Sequence, residues 1–145
     1  MTWSRRAALC AVLLSCGALM AARSVPHLAW DGMVLGKGKS KIRGDVSMEG
    51  GKTPRTTIVS VAITGDTPAS VRGWHVHRGS CAKPGRIFGA AQNYVALRVG
   101  RSGEAQAMAS LRVAVPDTGE FYADVHEGAL RPGAVIACGD LLMEE

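Results

Sequence analysis

Apolar and polar side chains alternate between residues 57 and 63, with Val59, Val61 and Ile63 on one face and threonine and serine on the other. The same period of two runs through residues 105–115, where alanine, leucine and valine occupy every second position. Successive side chains of a β-strand point to opposite faces, whereas a helix would spread these apolar positions around its circumference. We therefore predict two strands here, although alanine by itself favours a helix.

Shorter segments of the same kind, separated by Gly, Pro and Asp turns, predict five further strands, at residues 42–48, 71–76, 95–99, 121–126 and 134–142. Many short strands joined by turns are typical of antiparallel sandwiches and barrels. The chain after the leader shows no convincing helix and no internal repeat. An all-β domain is predicted over residues 42–145, and the glycine-rich residues 23–41 are predicted to be a flexible tether.

The N-terminal segment has the pattern of an export signal. Arg5 and Arg6 precede an apolar run over residues 7–22 that ends in small residues. A membrane-spanning helix needs about 20 apolar residues, so this run is short for a span. We predict a signal peptide over residues 1–22 and a periplasmic or secreted mature protein.

Two other signals remain open for the same segment. Ser4 with the following arginine pair is similar to a twin-arginine signal. Cys16 lies where a lipoprotein would be cleaved, and this alternative would anchor the protein to the cell envelope through a lipid. A lipid at Cys16 is the only membrane contact that we expect.

Composition limits the classes of protein that this chain can belong to. Its 145 residues, of which 47% are hydrophobic, are sufficient for one domain with one core and exclude a disordered chain. The net charge of +5 is thinly spread, and its densest run, from Lys37 to Arg43, lacks interleaved aromatic residues and any nucleic-acid-binding motif. We expect no nucleic-acid partner.

Cysteine and histidine supply the candidate chemistry. Outside the leader only Cys81 and Cys138 remain, and a lone pair of cysteines in an oxidising compartment favours a disulfide over two buried thiols.

His75 and His77 are two apart on a predicted strand and therefore share a face. Imidazole suits Cu, Zn, Fe and Ni, but such a pair also occurs on strands without a metal. His126 ends another predicted strand, and spacing alone does not connect it to the pair.

Three short motifs together resemble the copper/zinc superoxide dismutases. They are Gly73-Trp74-His75-Val76-His77 followed by Gly79-Ser80-Cys81, then Asp124-Val125-His126-Glu127, and finally Val135-Ile136-Ala137-Cys138-Gly139. The resemblance implies a Greek-key antiparallel β-sandwich or barrel and a Cys81–Cys138 disulfide. It also implies one copper ion bound by His75, His77 and His126, which would be the catalytic residues, with superoxide as the small-molecule substrate.

The chain also departs from this family. Residues 82–116 contain no His, Asp or Cys, and Glu104 is their only acid, so the family's zinc site is expected to be absent. Residues 89–94 lie about where the family has its bridging histidine. The family's guiding arginine before the second cysteine is replaced by Ala134 and Val135. Without a bridging histidine, protons would have to arrive through water positioned by Asp124 or Tyr122.

Three functions follow as hypotheses. The first is an exported, copper-binding protein resembling superoxide dismutase that converts superoxide to oxygen and hydrogen peroxide without zinc. The second is a non-catalytic copper carrier or buffer of the cell envelope, and the third is a structural β-sandwich with relic histidines. Four basic residues near the histidine pair could attract superoxide or could form an ordinary soluble surface. They are Arg72, Arg78, Lys83 and Arg86.

Overall fold

The computed structural model describes residues 28–129 and 133–144. The predicted signal peptide and Cys16 lie outside these ranges, so what is expected of them stays a prediction. Ten strands and one short 3-10 turn, Ala91–Asn93, form the described structure. The strands are β1 (Ala29–Gly36), β2 (Arg43–Gly50), β3 (Thr57–Thr64), β4 (Val71–Arg72), β5 (Trp74–Ser80), β6 (Lys83–Ile87), β7 (Leu97–Arg98), β8 (Ala105–Leu111), β9 (Phe121–His126) and β10 (Val135–Glu144).

Eight of these strands form one antiparallel sheet in the order β6-β5-β9-β10-β1-β2-β3-β8, and β4 pairs separately with β7. The sheet is curled, because apolar side chains from both of its halves pack into one core. Trp74 and Phe121 from one half lie in the same cluster as Val46 and Val59 from the other. The predicted all-β, antiparallel class is confirmed. No helix in the described part of the chain could span a membrane.

The predicted tether is wrong for residues 29–36. This segment is β1, a central strand that pairs with β2 on one side and β10 on the other. The sequence of this segment does not show the regular alternation of a strand, because Gly32 takes one of the positions where an apolar residue would be expected. Trp30 is buried all the same, and its indole Nε1 donates a hydrogen bond of 2.8 Å to the carbonyl of Pro116.

The bounds of several strands also differ from the predicted ones. β8 ends at Leu111 rather than at residue 115, and beyond it the carbonyl of Val113 accepts a hydrogen bond from the side-chain hydroxyl of Thr57 on β3. The strand predicted at residues 71–76 is divided at Gly73, whose N–H donates to the carbonyl of Gly128. The segment predicted at residues 95–99 is reduced to the two residues of β7.

Candidate metal centre

The histidine pair and His126 lie on two neighbouring strands. β5 and β9 run antiparallel with His75 opposite Asp124 and His77 opposite Tyr122. The backbone N–H of His126 donates to the carbonyl of Gly73, which continues the same register by one more pair. Residues that face each other across an antiparallel pair project to the same side of the sheet. The three histidines and Asp124 therefore share one face.

The residues between them project into the core. Val76 of β5 is 0% exposed, and Ala123 and Val125 of β9 are each 1% exposed. This burial fixes which face of each strand points outward, since a shift of one residue would exchange the two faces. The core thus holds the histidines on the outer face of the sheet.

The four side chains form a compact cluster. The ring centroid of His75 lies 5.7 Å from that of His77 and 5.6 Å from that of His126. One potential ligand atom from each of His75, His77, Asp124 and His126 can be chosen so that all lie within 4.8 Å of one another. Such a group could hold a metal ion.

Asp124 is the member of this cluster that the sequence reasoning missed as a ligand. It was considered only as a residue that positions water. Its Oδ2 lies 3.2 Å from His77 Nε2, and its Oδ1 lies 3.2 Å from His126 Nε2. The signal was present in the sequence, because Asp124 and His126 are two apart on a strand, as are the paired histidines.

Four polar atoms of the cluster are buried without a well-formed hydrogen bond. They are His75 Nδ1, His77 Nε2, Asp124 Oδ1 and His126 Nδ1. His77 Nε2 and Asp124 Oδ1 each lie 3.2 Å from a possible partner and still form no hydrogen bond. Buried polar groups are nearly always paired, and a cluster of unpaired ones needs an explanation such as an ion. These residues fit a metal ion on that ground.

The backbone fixes the tautomer of His77. Its Nδ1 lies 3.0 Å from the carbonyl oxygen of Gly85 on β6. A carbonyl can only accept, so the hydrogen is on Nδ1, and in the neutral ring Nε2 carries a lone pair directed toward Asp124. Two lone pairs facing each other require a cation or a proton between them. Metal-binding histidines commonly have their second nitrogen held in this way.

The pKa values of the two paired histidines shift in opposite directions. Burial lowers the pKa of His75, and the Asp124 carboxylate only partly opposes this effect. Burial also acts to lower the pKa of His77, but the contact with Asp124 and the carbonyl of Gly85 outweigh it, so that this pKa is raised. His75 is thus poised to be a neutral ligand, and the space beside His77 attracts positive charge.

Aromatic side chains limit the movement of the rings. Tyr122 stacks on His77 with ring centroids 4.8 Å apart and an interplanar angle of 15°. Tyr94 meets His75 edge-on at 5.2 Å, and its hydroxyl donates a 2.7 Å hydrogen bond to the carbonyl of Phe88. Rings held by such neighbours keep the orientation that a metal site needs.

A cleft of about 430 Å³ lies beside His75. Its lining includes Ala91, Gln92, Tyr94 and Ala129. Residues 89–94, which the sequence places near the family's bridging histidine, thus reach the neighbourhood of the cluster. Small side chains at Ala91 and Ala129 leave room for a small molecule to approach His75.

The Cys81–Cys138 disulfide is confirmed. Cys81 directly follows β5, and Cys138 lies on β10 directly opposite Asp124 of β9. The backbone N–H of Cys81 also donates to the side chain of Asp140, at 2.7 Å. The bridge therefore holds the end of the histidine strand against the strand beside Asp124.

Two of the four basic residues considered for attracting superoxide are engaged in structural contacts. Arg72 forms an ion pair with Asp66 at 2.8 Å. The guanidinium of Arg78 lies 5.4 Å from the ring centroids of both Phe88 and Phe121. Lys83 and Arg86 are exposed on β6.

The fold and the cluster define a class of protein: an antiparallel β-protein with a disulfide beside three histidines and an aspartate that could hold a metal ion. The chain matches none of the protein-family models and none of the curated proteins with which it was compared.

Proposed function

We propose that the protein is an exported copper-binding protein similar to the superoxide dismutases, with one copper ion held by His75, His77 and His126. The observation that carries this proposal is the convergence of imidazoles from β5 and β9, strands that are far apart in the sequence, on one partly buried cluster. Imidazole is a ligand that copper accepts readily. The expected absence of a zinc site stays a prediction.

The order of the strands supports a Greek-key arrangement. β1, β2 and β3 are consecutive neighbours, but β3 is followed in the sheet by β8, and β5 lies beside β9. The chain thus crosses between the two halves of the sheet after β3, again between β6 and β8, and again after β8. The disulfide supports export, because such bridges persist in oxidising compartments.

When bound, copper would supply one-electron chemistry by which one superoxide is oxidised to oxygen and a second, with two protons, is reduced to hydrogen peroxide. The protein's own residues would position and shield that reaction. Tyr122 and Tyr94 hold the imidazole rings, and the cleft beside His75 is where a small anion would approach. The exposed Lys83 and Arg86 on β6 supply positive charge on the same part of the molecule.

A copper carrier is the second candidate, and one observation favours it. The carboxylate of Asp124 lies where it could occupy a fourth coordination position. A site with four protein ligands resembles a structural or storage site more than a catalytic one, which keeps a position open.

Metal analysis and electron paramagnetic resonance of the copper-loaded mature protein test the site. We expect one copper per chain with nitrogen hyperfine coupling, and His75→Ala should reduce both copper content and coupling because it removes one imidazole. Met108→Leu is the control, because Met108 is exposed on β8, and it should bind copper like the wild type. Failure of the wild type to hold near-stoichiometric copper would leave only a structural role.

Superoxide consumption then separates the enzyme from the carrier. The copper-loaded wild type should consume superoxide at least about tenfold faster than copper-loaded His126→Ala, which corresponds to about 1.4 kcal/mol of transition-state stabilisation. Equal rates for the two proteins, with copper bound in both, would favour the carrier.

A further inference from the structure

Asp124 is the most deeply buried charged side chain of the cluster. The residue is 3% exposed, and it lies directly opposite His75 between β5 and β9. We propose that Asp124 is a direct ligand of the bound ion and that its carboxylate makes the site select divalent ions, Zn(II) or Cu(II), over Cu(I). This inference rests on the proposed metal centre, adds Asp124 to its three histidines, and thereby favours the copper carrier over the enzyme.

Charge is the first argument. A buried carboxylate is costly unless a positive partner compensates it. Among the residues that the structure describes, the groups within ion-pair distance of Asp124 are His77 and His126, which are charged only when protonated. A neutral imidazole leaves the carboxylate uncompensated. A metal ion at this place supplies the missing positive charge while both rings remain neutral.

Geometry is the second argument. A tetrahedral ion with bonds of about 2.0–2.2 Å keeps its ligand atoms roughly 3.4 Å apart. The two separations between Asp124 oxygens and imidazole nitrogens are both 3.2 Å. Each carboxylate oxygen is thus near ligand spacing from one imidazole, Oδ2 from His77 and Oδ1 from His126. The four candidate ligand atoms lie within 4.8 Å of one another and would contract by up to roughly 1.4 Å to reach the tetrahedral spacing.

The unpaired atoms are the third argument. Asp124 Oδ1 is buried without a well-formed hydrogen bond, as are His75 Nδ1 and His77 Nε2. A carboxylate that only oriented a histidine would accept a well-aligned hydrogen bond from that ring. Asp124 instead has one oxygen 3.2 Å from His77 Nε2 and the other 3.2 Å from His126 Nε2, which suits a ligand better than a residue that orients one ring.

Selectivity follows from the charge of the ligand set. Three neutral imidazoles and one carboxylate carry a net charge of −1, and the attraction of the carboxylate for a divalent ion is twice that for a monovalent ion at the same distance. Carboxylate oxygen is also a hard donor, whereas soft ligands select Cu(I). Removing the carboxylate charge should thus weaken divalent binding more than Cu(I) binding.

Competition with chelators of known affinity measures this selectivity in the full mature protein. Asp124→Asn keeps the shape of the side chain but removes its charge. We expect the affinities for Zn(II) and for Cu(II) to fall by about tenfold or more, a size seen when groups that support a metal site are lost. The Cu(I) affinity should change by a clearly smaller factor. Equal losses for all three ions, or no loss, would overturn the proposed selectivity.

Direct coordination is tested by Asp124→Cys loaded with Co(II). A thiolate bound to Co(II) gives an intense near-ultraviolet charge-transfer band, which a thiolate outside the coordination shell does not give. Ala123→Cys is the matched control, because it places the thiol one residue away on the opposite face of β9. A band at position 124 and none at position 123 supports the ligand role, and no band at either position overturns it.

The two proposals can fail separately. Wild-type protein that binds no metal at all would refute the metal centre itself. Copper binding that is lost in His75→Ala, together with a Co(II)-loaded Asp124→Cys protein that lacks the charge-transfer band, would refute only the role of Asp124.

Discussion

At the scale of single residues, Arg72 connects three parts of the chain close to the metal centre. Its guanidinium donates to both carboxylate oxygens of Asp66, each at 2.8 Å, and to the carbonyl of Glu127 at 2.6 Å. Glu127 directly follows His126. The ion pair therefore helps to fix the point where the chain leaves β9.

Asp66→Asn should show how much of the stability depends on this pair. Burial acts to raise the pKa of Asp66, but hydrogen bonds from Arg72 and Thr67 outweigh it and hold this pKa below its ordinary value of 3.8. A carboxyl group whose pKa is lower in the folded protein than in the unfolded chain stabilises the fold at pH values above its ordinary pKa. This contribution is lost as the pH falls through the folded-state pKa. The variant should unfold at lower urea concentration than the wild type at pH 7, and the difference should shrink below about pH 4.

Urea unfolding over a series of pH values provides the measurement. Asp45→Asn is the control, since Asp45 is exposed on β2. A difference between wild type and Asp66→Asn that stayed constant down to acid pH would contradict the assignment to this ion pair.

At the scale of elements, β1 and β10 approach each other closely at Gly139. A Cβ atom built on this glycine would collide with the backbone carbonyl of Met33. The glycine after Cys138 therefore has a packing reason, because only a residue without a side chain allows these two central strands to pair. β10 in turn carries Cys138 and supports β9.

Gly139→Ala should accordingly destabilise the protein by about 1–3 kcal/mol, the typical cost of overpacking. Gly50→Ala is the matched control at the end of β2, where the nearest atom to the new Cβ, in Val115, is 3.9 Å away. The free energies of unfolding from chemical denaturation compare the two. Equal values for both variants would mean that the close approach of β1 and β10 has no consequence.

At the scale of the whole molecule, the disulfide joins the end of β5 to β10, the strand that pairs with β9 beside the metal centre. It links residues separated by 57 positions in the sequence, and closing a loop of this length contributes about 4 kcal/mol in the chain-entropy model. It also ties the turn after β5 to β10, next to Asp124. Removing the disulfide should therefore lower both the stability of the fold and the affinity for metal.

A double variant, Cys81→Ala with Cys138→Ala, should lose about 4 kcal/mol of unfolding free energy and bind metal more weakly than the wild type. Unfolding by urea and chelator competition measure the two effects. A reducing agent should reproduce both losses in the wild type and change nothing in the variant. Unaltered metal affinity in the folded variant would show that the bridge stabilises the fold without organising the site.

The strands that the sequence predicted best are those with regular alternation. β3 and the first part of β8 follow the predicted period of two, because each has one buried and one exposed face. β1 was missed because Gly32 breaks its pattern. β6 was missed because four of its five residues are exposed, so that no apolar alternation marks it. It is held by pairing with β5 alone, which local sequence does not encode.

The sequence by itself determined which side chains share a face within each strand. The covalent geometry of an extended chain places His75 with His77, and Asp124 with His126, whatever the rest of the molecule does. Only the tertiary structure decided that β5 and β9 are neighbours and that His75 lies opposite Asp124. That register depends on the burial of Val76, Ala123 and Val125 in a core shared by distant parts of the chain, and distances across it cannot be derived from local spacing.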